Sequence, residues 1–330
     1  MNTDDGSATT ALIAAATVAG TAPSIHNTQP WHWRINGRVA ELYGDETRWL
    51  RVIDADRRLL ILSCGAALNH ATVALAAEGV TVDVRRTEAD EEVADESPLA
   101  VVAVTGATPV TPAAMRHMQT LEIRHTDRRP LVDAPVPASA VDHLRAIATE
   151  YGLGLHVLDR DAVIELASVT SRAQRDQVGD AATREELDTW VGGRSHAGTG
   201  VPDTAIPARA PQTTVPARDF GHVGTLDVSA AHDQQAVYAI LYAPADEPGD
   251  WLRGGEALSA MWVSAIEDNV ALLPLSAAVE EAFTRQTLRR LISNLGYPLI
   301  AVRLGVPDPD AASPPHTPRL EATQTIEVVE

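Results

Sequence analysis

Lysine is absent from this 330-residue chain, so all 26 of its basic side chains are arginines. Any anion the protein holds must meet guanidinium groups, whose planar forks suit phosphate, or else a protonated histidine or the α-amino group. Positive charge is scarce overall. Against 45 aspartates and glutamates the formal net charge is −19, which argues against sequence-independent binding to nucleic acid and against docking on an anionic membrane. The single cysteine, Cys64, excludes an intramolecular disulfide and any multi-cysteine metal site. Its apolar neighbours make it a buried thiol. No run reaches the ~20 apolar residues of a membrane span. The short apolar stretch Ala11–Ala19 lacks a basic flank, so no signal peptide is expected and the cytoplasm is the expected compartment. The G-x-S-x-G elbow, H-E-x-x-H, the P-loop and G-x-G-x-x-G are all missing. The 11 histidines show no ligand spacing.

What is present is a globular composition. Hydrophobic residues make up 45% of a chain long enough for about two domains or one large one. Periodicity and breakers predict helices over 8–20, 60–78, 112–123, 137–151, 161–176, 251–267 and 278–295. Strands are predicted over 31–35, 38–43, 80–85, 99–104, 153–158, 236–242 and 298–304. Asn36-Gly37 joins the first two strands as a hairpin. Residues 88–97 read as an acidic, solvated loop. Residues 192–219, rich in Gly, Pro and Thr without periodicity, read as a functional or mobile loop. The proline-rich tail after Pro307 reads as an arm lying along other parts of the protein.

One stretch organises the rest: Pro23-Ser24-Ile25-His26-Asn27-Thr28-Gln29-Pro30-Trp31. Two prolines stiffen it, and hydroxyl, imidazole, amide and indole groups crowd into it. A turn that merely caps backbone groups needs one such residue. The crowding favours a preformed polar edge for a planar heteroaromatic ligand, because the amides of Asn27 and Gln29 each offer a donor and an acceptor.

The run Ala-Pro-Ser-x-His-Asn-Thr-Gln-Pro-Trp resembles the flavin-edge motif of the nitroreductase family, most of all that of its Acg-like actinobacterial branch. Further along, Arg124-His125-Thr126-Asp127-Arg128 resembles the family's Arg-x-Ser-x-Arg/Lys phosphate motif, with Thr126 in place of serine. Arg319 resembles a basic residue near the family's C-terminus that also reaches the cofactor. The resemblance implies FMN. Ser24, Asn27 and Gln29 would meet its pyrimidine edge, with Trp31 packed behind the loop. Arg124, His125, Thr126, Arg128 and Arg319 would hold its phosphate. By residue chemistry alone, 124–129 also fits a solvated basic turn. The implied activity is NAD(P)H-dependent reduction of nitroaromatic or quinone-type small molecules, by ping-pong hydride transfer through flavin N5. Stacking serves that step, so no catalytic side chain is assigned. The run Asp268–Pro274 departs from the family's usual residues near N5. A non-catalytic protein that sequesters FMN in stress or dormancy is therefore the alternative, and a flavin-free interaction protein a third.

The chain also repeats itself. Gly65–Val80 lies over Gly255–Val270 at an offset of 190, and Pro98-Leu99 over Pro298-Leu299 at an offset of 200. This divides the chain into two related halves, 1–110 and 111–330. Nitroreductases are typically dimers with FMN at the interface, so the resemblance implies an α+β fold of mixed sheets flanked by helices, carrying that dimer internally as a monomer. The ring-edge motif occurs only in the first half and the phosphate motif opens the second, which leaves one complete site.

Overall fold

The computed structural model describes residues 5–87, 97–228 and 232–329, so the acidic stretch 88–96 lies outside the described residues. The architecture is α+β, with one mixed and one antiparallel sheet flanked by helices. The first sheet contains β1 (Trp31–Asn36), β2 (Val39–Gly44), β3 (Val80–Arg86) and β4 (Ala100–Ala107) in the order β3-β4-β2-β1. The second contains β5 (Gly154–Val157), β6 (Val237–Ala243), β7 (Ala271–Leu275) and β8 (Tyr297–Gly305) in the order β5-β6-β8-β7. Read from its far edge, that is the order of the first sheet over again. The C-terminal arm crosses back to the first sheet, where β9 (Ile326–Val328) pairs parallel with β1.

Alternation places the strands. In β1 the side chains of Trp31, Trp33 and Ile35 are buried while Arg34 and Asn36 face outward, the period-two pattern of a sheet with one face on a core. Gly37 takes φ +54° in the hairpin, the left-handed turn that Asn-Gly supplies. On the first sheet pack α1 (Asp5–Ala19) and α2 (Arg58–Ala77), and on the second α4 (Ala138–Glu150) and α7 (Pro248–Glu267). The segment α3 (Pro112–Ile123) links the halves. A long insertion between β5 and β6 holds α5 (Arg160–Gly179), α6 (Ala181–Thr189) and the irregular stretch that follows, while α8 (Ala277–Glu280) and α9 (Ala282–Leu291) lie between β7 and β8.

The helices packed on the two sheets meet where α2 crosses α7. A Cβ on Gly65 would lie 2.0 Å from the Leu252 carbonyl oxygen, and one on Gly255 would lie 1.8 Å from that of Leu62. Leu62 and Leu252, like Gly65 and Gly255, stand 190 residues apart. Each glycine therefore receives the backbone of the other helix at the same register as its repeat partner, a reciprocal contact. Only glycine allows so close an approach.

Some elements differ from expectation. Sequence reading gives no strand at β7, whose fourth residue is Pro274. The strand lies at the edge of its sheet, where a residue without an N–H is tolerated. The helix expected over 278–295 is two short ones, ended by Ser293 and Asn294 at φ +55° and +58°. By length and composition α2 is the one helix among the described residues that could cross a membrane, a candidate the reading of apolar runs passes over. Most of it is buried between α1 and α7.

Candidate active site

The prolines at 23 and 30 bracket one turn of 3₁₀ helix, Ile25–Asn27, in a backbone of unusual shape. His26, Asn27 and Gln29 all have positive φ, at 44°, 56° and 52°, a conformation costly for residues with a Cβ and held only where surroundings over-determine it. The bracing is visible. Ser24 Oγ accepts from the Gln29 N–H at 2.9 Å, and Ser63 Oγ of α2 accepts from the Ile25 N–H at 3.1 Å. Arg48 donates from Nε to the Gln29 carbonyl and from Nη2 to the Trp31 carbonyl, both at 2.9 Å, while its Nη1 pairs with Asp45 at 2.8 Å.

Beside this loop lies a cavity of ≈ 980 Å³ including its open mouth, between the two halves. Leu59, Leu62 and Ala66 of α2 form one wall, and Leu258 and Trp262 of α7 another. The end of β7 and the start of α8, from Leu273 to Ala277, form a third. The insertion contributes Arg218, Phe220 and, from α5, Thr170 and Gln174. Apolar walls with a few convergent polar groups are the usual composition of a small-molecule site.

Of the eight residues singled out by sequence, Ser24, Thr126 and Arg128 line this cavity. Arg128 donates to the Ala205 carbonyl at 3.1 Å with its guanidinium 5.2 Å from the Phe220 ring centre. Burial pushes its pKa down to about 10, with Arg218 adding to the shift and Asp127 opposing it, so it remains cationic at neutral pH. Arg124 lies behind the wall, its guanidinium 4.8 Å from the centre of the Trp262 ring and Nη2 donating to the Thr21 carbonyl at 3.2 Å. Arg319 donates from Nη2 to the same carbonyl at 3.0 Å. Burial first, and then repulsion from Arg319, lowers the Arg124 pKa to about 9. His125 is half-buried, with Nδ1 3.0 Å from the Ile123 carbonyl.

Asn27 and Gln29 do not line the cavity. Asn27 Nδ2 donates to the carbonyls of Gly200 and Pro318 at 3.0 and 2.9 Å, and its Oδ1 accepts from Arg319 at 2.6 Å. Gln29 Nε2 donates to the Gly198 carbonyl at 2.7 Å, and its Oε1 accepts from the Leu320 N–H at 2.9 Å. Both side chains bond to other parts of the chain. A side-chain amide matches a backbone amide in both donor and acceptor, and two chain segments present such groups, so the amides tie the insertion and the C-terminal arm to the loop.

Several polar atoms near the cavity are buried without a hydrogen-bond partner: His26 Nε2, Thr170 Oγ, Arg218 Nε, and Arg124 Nε and Nη1. Buried polar groups in native proteins are paired as a rule, so an unpaired one in the wall of a cavity is a candidate contact for a polar ligand. Sequence reading quotes His26 within the motif without giving it a role. It also misses Arg218 and Phe220, which carry no pattern of their own although they adjoin or end the loop flagged as functional, and Leu275–Ala277, hidden with the unpredicted strand.

Comparison with known proteins bears on the family. No family model matches the chain. A Mycobacterium tuberculosis protein named "Putative NAD(P)H nitroreductase Rv3131" is 34% identical over 317 residues, spanning 94% of this chain and 89% of its own. Another from the same organism, "Putative NAD(P)H nitroreductase acg", is 30% identical over 314 residues, spanning 94% and 93%. Among solved structures, the FMN-dependent nitroreductase NfnB from Mycobacterium smegmatis in complex with NADPH aligns at 15% identity and TM-score 0.40, over 66% of this chain and all of that one. A Bacteroides fragilis nitroreductase with bound FMN aligns at 15% identity and TM-score 0.38, over 65% and 98%. With one-third identity running through nearly its whole length, the chain belongs to the Acg-like branch of the nitroreductase family.

Proposed function

We propose that this protein binds one FMN between its two halves and reduces small nitroaromatic or quinone-type molecules with electrons from NAD(P)H. The observation that carries the reading is Arg124. Its guanidinium is 4% exposed, has no carboxylate partner among the described residues, and leaves Nε and Nη1 unsatisfied. A buried charge without a counter-charge is strongly unfavourable, and a phosphate at 124–128 satisfies it with charge-assisted hydrogen bonds. Thr126 adds a hydroxyl and Arg128 a second cation, while Arg319 and His125 stand beside Arg124. The apolar walls between α2 and α7 fit a planar tricyclic ring. Bound there, FMN supplies hydride chemistry between nicotinamide and acceptor. The residues of the chain bind and orient it, exclude water from its ring, and hold the strained loop against it. The names of the mycobacterial relatives support the same electron donor.

The absorption spectrum of the purified protein, followed by anaerobic addition of NADH or NADPH, tests this. A bound flavin that bleaches with the nucleotide supports it. A protein that takes up no FMN sinks it.

A sequestering protein is the second reading, and the insertion favours it. Arg218 donates to Glu280 of α8 at 2.5 Å, and Gln177 of α5 donates to the same carboxylate at 2.5 Å. These bonds hold residues 216–220 against the cavity. Stopped-flow reduction separates the two readings. Fast reduction of the bound flavin in the wild-type protein excludes sequestration. Reduction only after Arg218→Ala releases residues 216–220 establishes it.

A further inference from the structure

His26 is the one residue of the strained loop whose side chain reaches the cavity with nothing to bond. It is 7% exposed, lines the cavity, and leaves Nε2 without a partner. Its neighbours on either side of the φ +44° backbone are occupied elsewhere, Asn27 on the arm and insertion and Ser24 on the Gln29 N–H. The ring of Phe220 meets it edge-on, 6.3 Å between centroids at 79°, which fixes the plane of the imidazole. A buried histidine in the left-handed region, set in the wall of a cavity with one covered ring nitrogen left unpaired, is an arrangement kept for a ligand rather than for packing.

We propose that His26 is a ligand-contacting residue, its Nε2 hydrogen-bonding an uncharged heteroatom of the flavin ring; the assignment rests on the FMN reading of the cavity. The ring, rather than the phosphate, follows from charge. Burial, reinforced by the guanidinium groups of Arg218 and Arg128, holds the His26 imidazole neutral by pushing its pKa well below the usual value. A phosphate beside two arginines gains little from a neutral imidazole, whereas the nitrogen and carbonyl groups of an isoalloxazine need such a partner once taken out of water. His26 then orients the ring between α2 and α7 without adding charge to it.

The test is fluorescence titration of the full chain with FMN and with lumiflavin, which is the ring alone. His26→Gly removes the imidazole and relieves the positive φ, so any loss it shows is not backbone strain. His26→Gln keeps a polar group on a comparable side chain. Expected is about tenfold weaker binding of both flavins to H26G, the scale of one lost hydrogen bond, with H26Q within about threefold of wild type and the melting temperature of H26G not lowered. Equal affinities for wild type and H26G overturn the contact. A loss for FMN with none for lumiflavin overturns the ring assignment, and H26Q failing as badly as H26G overturns the hydrogen bond. Wild type that binds neither flavin refutes the cavity reading itself, an outcome distinct from the other three.

Discussion

Replacing Gly65 with alanine places one methyl group where α2 and α7 are closest. The new Cβ stands 2.0 Å from the Leu252 carbonyl oxygen, 2.9 Å from its carbon and 3.0 Å from the Glu256 nitrogen. Ordinary contact begins near 3.4 Å, so the helices must part by more than an ångström or the chain must bend. Overpacking typically costs about 1–3 kcal/mol where side chains can give way. The obstructing atoms here are backbone, which puts the expected cost at the top of that range or beyond. Alanine's better helix propensity returns about 1 kcal/mol. A net loss of about 2 kcal/mol or more is expected, read as a lower urea midpoint at unchanged slope in circular dichroism. Because both helices line the cavity, FMN should also bind more weakly. Gly255→Ala should behave alike, since its Cβ meets the Leu62 carbonyl at 1.8 Å. Both methyl groups press on one gap, so once the first has opened it the second costs less. The double variant should therefore be more stable than the sum of the singles predicts, by about 1 kcal/mol or more. A Gly65→Ala protein as stable as wild type, or strict additivity in the pair, refutes the reciprocal crossing.

Arg124→Ala or Arg128→Ala should weaken FMN by about 2 kcal/mol or more, the scale of a lost charge-assisted contact, and leave riboflavin nearly unaffected; equal losses for both ligands would mean the arginines serve only the fold. Flavin released by denaturation should amount to about one per chain, and a ratio near two would exclude the one-site reading. Asp54, whose carboxylate accepts the Leu59 and Leu60 N–H groups, has its pKa raised from 3.8 to about 7 by burial, despite those bonds. The folded state then holds that proton more tightly than the unfolded one, so its contribution to stability is full below about pH 4 and declines as pH rises towards 7, by ~4 kcal/mol at most. Urea midpoints of Asp54→Asn should lack that component of the decline, and parallel profiles for the two proteins would refute the shift.

Much of this was legible because the local signals were strong and agreed. Trp31, Trp33 and Ile35 mark a half-buried strand, Asn36-Gly37 its turn, and Gly79 the end of a helix. The glycines at 65 and 255 were visible as a repeat before any contact was known, since a close helix crossing leaves the same small residue at the same register in both copies. Other features rested on information that is not local. Whether Pro274 can sit in a strand depends on that strand being at the edge of its sheet, which the neighbourhood of Pro274 does not state. Arg218 reaches Glu280 across 62 residues of chain, and nothing in the composition of the insertion fixes that pairing. Asn27 and Gln29 could be recognised as a concentration of amides. Which backbone they would bind depended on where the insertion and the arm come to rest.

The same repeat shows which residues replace this cavity's walls on the other side, where a separate cavity of ≈ 1080 Å³ is lined by Asn69, Thr72 and Tyr151. Ala66 and Ser276 line it. Moved by 190 residues, their counterparts are Glu256 and Arg86. On that side Arg86 donates from Nε and Nη2 to the two oxygens of Glu256 at 2.7 and 2.8 Å, with the carboxylate 2% exposed. Two small residues that leave room have become two large charged ones that fill it and satisfy each other. Trp262, which walls the cavity and stacks with Arg124, corresponds to Thr72, a smaller side chain without a ring. A fork-to-fork ion pair is geometrically demanding, and breaking it by removing one partner would leave a buried charge unpaired. Building the same site there would therefore take coordinated changes at 86 and 256 together with a second phosphate motif. On the proposed two-half reading, residues 1–110 supply the strained loop and 111–330 the arginines, and the ion pair stands at the positions equivalent to Ala66 and Ser276.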